Sequence, residues 1–238
     1  MKAIDPNKFD RLEPKALSVL MKCLRLIHEN CGIDVDIDNI PLDDAETLRF
    51  FQGVDTADIH QFSSSGMRKF LQWLSPNDFS ELVAMYAMYR PGSMDFIDHY
   101  IRRKHDEEPF NYELPVMEKY LRETYGLTLY PEQIASLAQE IANYTSEESE
   151  ELCRGVCSYR LSQRLFDLHE QFVNRGRENG YDADSLERVW HHWECYGRNT
   201  YSKARAVHCA KLAVQAAYLK AHFPDQYRLA YEQCCNLQ

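Results

Sequence analysis

The sequence predicts a mainly α, multi-helix protein. Apolar residues recur three and four positions apart through most of its 238 residues, and short Pro, Gly, Ser and Asp punctuation separates these runs. Only one brief stretch, Leu127 to Tyr130, has β-like character.

The first helix is expected from Ala16 to His28, after Pro14, with Leu17, Leu20, Met21, Leu24 and Ile27 on one face. Cys31 to Pro41, rich in Asp, Ile and Val, then leads to the Asp43-Asp44 pair, whose carboxylates suit the start of a helix over Ala45 to Gln52. Gly53 is expected to cap it. Further helices are predicted over Gly66 to Leu74, Asn77 to Tyr89, Asp95 to Lys104 and Leu114 to Thr124. After the β-like run, helical periodicity returns over Pro131 to Asn143. It continues over Ser146 to Val156, Leu161 to Asn179, Ala183 to Tyr196, Ser202 to His222 and Pro224 to Cys234. No repeat or low-complexity linker divides the chain, so one helical domain from residue 16 to 238 is expected, preceded by a short remnant over 1–15.

At this length no disulfide or metal is needed to hold a core. Hydrophobic residues make up 45% and charged residues 27%, with no apolar run near the roughly 18 residues of a membrane span. A soluble protein with no membrane partner and no secretory signal is therefore expected. Eight scattered cysteines lack CxxC spacing and read as free thiols of a reducing cytoplasm. Cys153 and Cys157 are expected as a buried thiol pair on one helix face, and His191, His192 and Cys195 as partly buried packing residues rather than metal ligands. The net charge of −10 repels a phosphate backbone, so nucleic-acid binding requires a local basic patch.

Several strings occur in the order, and nearly at the spacing, of the fingers region of bacterial C-family DNA polymerases, the alpha subunits of DNA polymerase III. Ile40-Pro41-Leu42-Asp43-Asp44 resembles the family's IPLDD, and Gln61 with Ser65-Gly66-Met67-Arg68-Lys69 its FQLESSGMRK. Tyr89-Arg90-Pro91-Gly92 resembles YRPGP, Ile101 to His105 FIRRKH, Thr124-Tyr125-Gly126 TYG, and Tyr130 to Gln133 YQEQ. Ala217 to Pro224 is nearly identical to AYLKAHYP. Lys8-Phe9-Asp10 falls where the family has KFDFLGL, the last strand of its palm, so the resemblance makes the first 15 residues a palm remnant.

The resemblance implies a helical fingers domain that holds template-primer DNA and the incoming deoxynucleoside triphosphate, working with other holoenzyme subunits. The family reaction is nucleotidyl transfer by three palm aspartates and two Mg²⁺ ions. Asp10 matches the third of these aspartates as a catalytic and Mg²⁺-binding residue, and the other two would lie before Met1. One carboxylate cannot hold two ions, so the chain is expected to be inactive alone and to bind Mg²⁺ only with the rest of the palm.

Arg154 matches the first basic residue of the family's triphosphate-facing LRRAMGKK, where Gly155 stands for the second and Tyr159 and Arg160 for the lysine pair. A lost charge-assisted contact to phosphate costs roughly 1.5–3 kcal/mol. Lys203 and Arg205 fall on the lysine and histidine of GFNKSH, and Arg90 lies in the RPG loop; these four are the nucleotide-binding candidates. Arg68, Lys69, Arg102, Arg103 and Lys104 are the candidate DNA-backbone contacts, the last three also suiting a helix C-terminus that complements its dipole. Arg11-Leu12-Glu13-Pro14 replaces FLGL, and Pro14 cannot donate to a sheet ladder. These departures leave a second reading open, a diverged non-catalytic relative serving as a helical interaction or DNA-binding module.

Overall fold

The computed structural model describes residues 14–157 and 163–235. The described residues form helices joined by turns, without a β-strand, in two compact units. One unit takes the described residues up to Phe79 and those from Cys209 onward; the other is Ser80–His208.

In the first unit, α1 (Pro14–Cys31) packs against the final helix of the chain, Pro224–Cys235. It buries Val19, Leu20, Cys23, Leu26 and Ile27 opposite Tyr227 and Ala230, so the buried face is rotated from the expected one: Leu20 and Ile27 lie on it, Leu17 and Leu24 are half buried and Met21 is exposed. The helix begins at Pro14, two residues before the predicted start, because proline fits a first helical turn that needs no N–H donor there. Asp44 caps α2 (Ala45–Gln52) by accepting from Thr47 N at 2.7 Å, and Ser64 caps α3 (Ser65–Leu74) by accepting from Met67 N at 3.2 Å. Gly53 ends α2 by donating to Arg49 O, while the left-handed residue is Val54 at φ 62°. Phe51 and Phe62 meet edge to face at 5.4 Å in the core of this unit. Near the chain's end, His222 Nε2 lies 3.1 Å from Asp44 Oδ2 and Lys220 Nζ reaches Asp55 and Asp58. Burial pushes the Asp44 carboxyl up, but its hydrogen bonds to Thr47 and His222 outweigh this and hold its pKa below the usual range.

In the second unit, α4 (Phe79–Met88) is almost wholly buried and α5 (Asp95–Lys104) half buried. The single helix predicted over Leu114 to Thr124 is instead α6 (Met117–Leu121) followed by a 3₁₀ turn, Arg122–Thr124. Pro115 disfavours helical backbone at Leu114, and Tyr125 at φ 50° closes the other end. The β-like run Leu127 to Tyr130 is not a strand. It is buried chain outside any helix whose polar groups are met by side chains and backbone together: Gln133 Oε1 accepts from Leu129 N and Tyr130 N, Thr124 Oγ1 donates to Leu127 O, Leu127 N donates to Thr124 O, Leu129 O accepts from Tyr201 N and Tyr130 O accepts from Gln133 N.

The rest of this unit is α7 (Pro131–Ala142), α8 (Ser146–Val156), α9 (Gln163–Glu178), α10 (Ala183–Tyr196), a 3₁₀ turn Gly197–Asn199 and the start of α11 (Lys203–His222). Asn143, left-handed at φ 51°, ends α7. Thr145 and Glu148 cap α8 reciprocally, each side chain bonding the other's backbone N–H. α7, α8 and α9 pack mutually and α10 closes on α9, around Ile134, Leu137, Leu152, Phe172, Trp190 and Trp193. A Cβ at Gly155 would meet Leu168 Cδ1 at 2.8 Å, so α8 and α9 approach where only glycine fits undisturbed.

Candidate nucleotide-facing site

The N-terminus of α7 anchors two of the predicted nucleotide-binding segments. Pro131 takes the first helical position, where a missing N–H costs nothing. Gln133 ties this turn to α6 by donating to Tyr120 O and Thr124 Oγ1. From α8, Cys153 Sγ donates to Pro131 O at 3.2 Å, one residue before Arg154. From α11, Lys203 N donates to Glu132 Oε1 at 3.0 Å, so an acid in the first turn of α7 also caps α11. Cys157 Sγ and Thr200 Oγ1, 3.3 Å apart, join the end of α8 to the approach to α11.

Arg154 therefore sits on the last turn of α8 and Lys203 on the first turn of α11, with both turns fastened to α7. The Arg154 and Arg205 side chains are exposed. Lys203 Nζ lies 2.6 Å from Glu123 Oε1 and 5.5 Å from the Tyr130 ring centroid. A cleft of about 530 Å³ opens beside it, lined by Lys119, Tyr120, Arg122, Glu123, Glu132, Gln133, Ser136 and Lys203. Burial pushes the Cys153 thiol up to about 12, so at neutral pH it is an uncharged donor. The Cys153–Cys157 pair is half buried.

Arg90 points inward. Its Nε donates to Ala87 O, its Nη2 to Asn199 O and Ser93 Oγ, and its guanidinium lies 4.6 Å from the Tyr201 centroid. It thus joins the RPG turn to the segment leading into α11. Gly92, at φ 87°, lies so close to this segment that a Cβ would meet Asn199 Oδ1 at 3.0 Å.

The basic run at the end of α5 divides. Lys104 and Glu81 form an ion pair at 2.7 Å with side chains 8% and 4% exposed, and Tyr125 OH donates to the same carboxylate. Arg103 bonds Glu108 Oε1 and Tyr125 O and lies over Phe110, while Arg102 is 45% exposed near Asp98 and Glu108. In the first unit, Lys69 is exposed and Arg68 half buried. Asp10, predicted as catalytic and Mg²⁺-binding, lies outside the described residues.

His191 and Cys195 are exposed, contrary to the packing expected of them, because they face outward from α10. Only His192 packs inward, 2.9 Å from Thr128 Oγ1, and burial lowers its pKa to about 4. The described residues contain no group of three or more His, Cys, Asp or Glu that could hold a metal ion, so the residues described do not fit the two-ion centre of the family by themselves. None of their helices is long and apolar enough to cross a membrane.

Sequence reasoning gave no role to Glu123 or Glu132 and only a packing role to Cys153, yet these residues fix this geometry. The one available signal was Glu132 in the first turn after Pro131, where an acid favours a helix start.

The described residues are helical, and within Ser80–His208 the turns that carry Arg154 and Lys203 are both fastened to the start of α7, which defines the class. Residues 16–180 match the bacterial DNA polymerase III alpha subunit finger domain, and the chain belongs to that family. It is 33% identical over 235 residues to a DNA polymerase III subunit alpha of Thermus aquaticus, covering 97% of this chain and 19% of that protein. The Aquifex aeolicus protein of the same name is 31% identical over 222 residues (92% and 19%), and that of Halalkalibacterium halodurans 33% over 223 residues (94% and 20%). The chain thus spans about one fifth of the length of these relatives.

Proposed function

We propose that this chain holds the incoming deoxynucleoside triphosphate and the template-primer during DNA synthesis by a DNA polymerase III alpha subunit in the bacterial cytoplasm. The observation that carries this reading is the fastening of Arg154 and Lys203, on two separate helices, to one turn of α7. A cation on a clamped helix end is held in place before the ligand arrives, which is how positioning and charge neutralisation lower the barrier to nucleotidyl transfer. Arg205, one turn-fraction along α11, adds a second exposed charge. Arg90 acts on the same site by positioning, since its hydrogen bonds hold the segment before α11.

Burial favours setting Leu152, fully buried, on the leucine of LRRAMGKK and Gly155 on its alanine. In that register Cys153 and Arg154 take the two basic positions. One cation remains on the turn in either register, so nucleotide affinity is about tenfold or more below that of a site with two.

For the template-primer, Arg68, Lys69 and Arg102 supply backbone contacts, while Arg103 and Lys104 hold the end of α5 in shape through Glu108 and Glu81. The Mg²⁺ ions and the remaining carboxylates are supplied by the rest of the alpha subunit, with Asp10 as this chain's contribution, and the chain alone does not polymerise. Titrating a fluorescent deoxynucleoside triphosphate and a primer-template duplex into the purified chain, at low and moderate salt, tests the reading. Saturable, salt-weakened binding of both is expected; no binding at low salt and high micromolar concentration contradicts it.

A further inference from the structure

We infer that the outward face of α3 is a stacking platform for an unpaired nucleobase of the DNA strand, with Trp73 as the ring that receives it. Trp73 is 50% exposed, whereas the chain's other two tryptophans, Trp190 and Trp193, are buried. Phe70 meets Trp73 edge to face at 5.7 Å, which fixes the indole's orientation, and Lys69 Nζ lies 4.8 Å from its centroid. Arg68 and Lys69 lie about one turn toward the N-terminus, and Arg68 Nε is buried without a hydrogen-bond partner. No carboxylate occurs from Gln61 to Asn77, in a chain of net charge −10.

A large exposed ring beside two cations, on a helix with no acid, is complementary to a ligand having both a π-face and a phosphate, and single-stranded nucleic acid has both. The helix polarity agrees. The base lies at the C-terminal turn and its phosphate toward the N-terminal half, where the dipole favours negative charge. The exposed lysine–indole contact is weaker than base stacking, so a base displaces Lys69 from the ring and the freed ammonium takes the neighbouring phosphate. The inference rests on the DNA-holding reading above and adds to it a preference for an unpaired base.

The test titrates a short oligothymidylate, and a duplex of the same length, into the full chain while following tryptophan emission. The single strand is expected to quench the Trp73 component, since the other two indoles are inside. Trp73→Leu is expected to lower single-strand affinity about 5- to 150-fold, with duplex retention and helix content unchanged. Lys69→Ala weakens both ligands and reduces the single-strand salt slope by about 0.7. If Trp73→Leu leaves single-strand affinity unchanged while Lys69→Ala weakens duplex retention, the stacking platform is refuted and the DNA-holding reading stands. If neither DNA form is retained, both fail. Concentration-dependent self-association abolished by Trp73→Leu, without quenching by oligothymidylate, assigns the face to a second copy and overturns the inference.

Discussion

Replacing Glu81 by Leu removes an ion-pair partner from a lysine that has almost no contact with water. Lys104 and Glu81 are 8% and 4% exposed at 2.7 Å, and Tyr125 OH also loses its acceptor. Breaking a buried pair by deleting one member typically costs about 3–5 kcal/mol, because the remaining charge is left without compensation. For a protein of this size each kcal/mol lowers Tm by roughly 2–4 °C, so the expected fall is about 6–20 °C. The double substitution Glu81→Leu with Lys104→Met removes both charges and is expected to recover most of that loss. The assay is thermal and urea unfolding of the wild type, both single variants and the double variant. A Glu81→Leu variant within about 1 kcal/mol of wild type, or a double variant no better than the single ones, shows that Lys104 and Glu81 are not a coupled buried pair. The cycle also bears on function: if Lys104 supports the fold rather than touching DNA, the double variant retains duplex DNA as the wild type does.

Gly155→Arg, which sets a second basic residue beside Arg154, is expected to destabilise the chain by about 1–3 kcal/mol, because its Cβ alone meets Leu168 at 2.8 Å; urea unfolding checks this. His192 has a folded pKa of about 4, below its ordinary 6.5, so its contribution is fully present above about pH 6.5 and is lost as pH falls through 4. The loss is on the order of 3 kcal/mol and should be absent in His192→Gln, which keeps a polar partner for Thr128 without titrating; unfolding free energy at several pH values measures it. Arg90→Lys keeps the charge but cannot span Ala87 O, Ser93 Oγ and Asn199 O together, and a loss of about 1–3 kcal/mol is expected in unfolding experiments.

The helices were legible in the sequence where local chemistry sets their ends. Asp44, Thr145 and Asp182 each accept a hydrogen bond from the residue three positions on, a pattern visible without tertiary knowledge. The helices over Ala45–Gln52, Asp95–Lys104, Ser146–Val156 and Ala183–Tyr196 match the predicted bounds. Leu127 to Tyr130 was misread because an apolar run resembles a buried strand until its hydrogen-bond partners are known, and here they come from Gln133, Thr124 and Tyr201. The family was legible because its strings are collinear over nearly the whole chain. The electrostatics of the basic run were not, since Lys104 meets an acid 23 positions away and Lys203 one 80 positions away. Gly155 likewise reads as a lost charge in sequence and as a close helix contact in space.

If Arg154 and Lys203 hold one triphosphate together, as proposed, deoxynucleoside triphosphate affinity separates the wild type, Arg154→Ala and Glu123→Gln. Glu123 competes with phosphate for Lys203 at 2.6 Å. Arg154→Ala should therefore weaken binding about 10- to 150-fold, and Glu123→Gln should strengthen it. Equal affinity in all three proteins, or tighter binding only on loss of Arg154, would contradict a triphosphate site shared by Arg154 and Lys203.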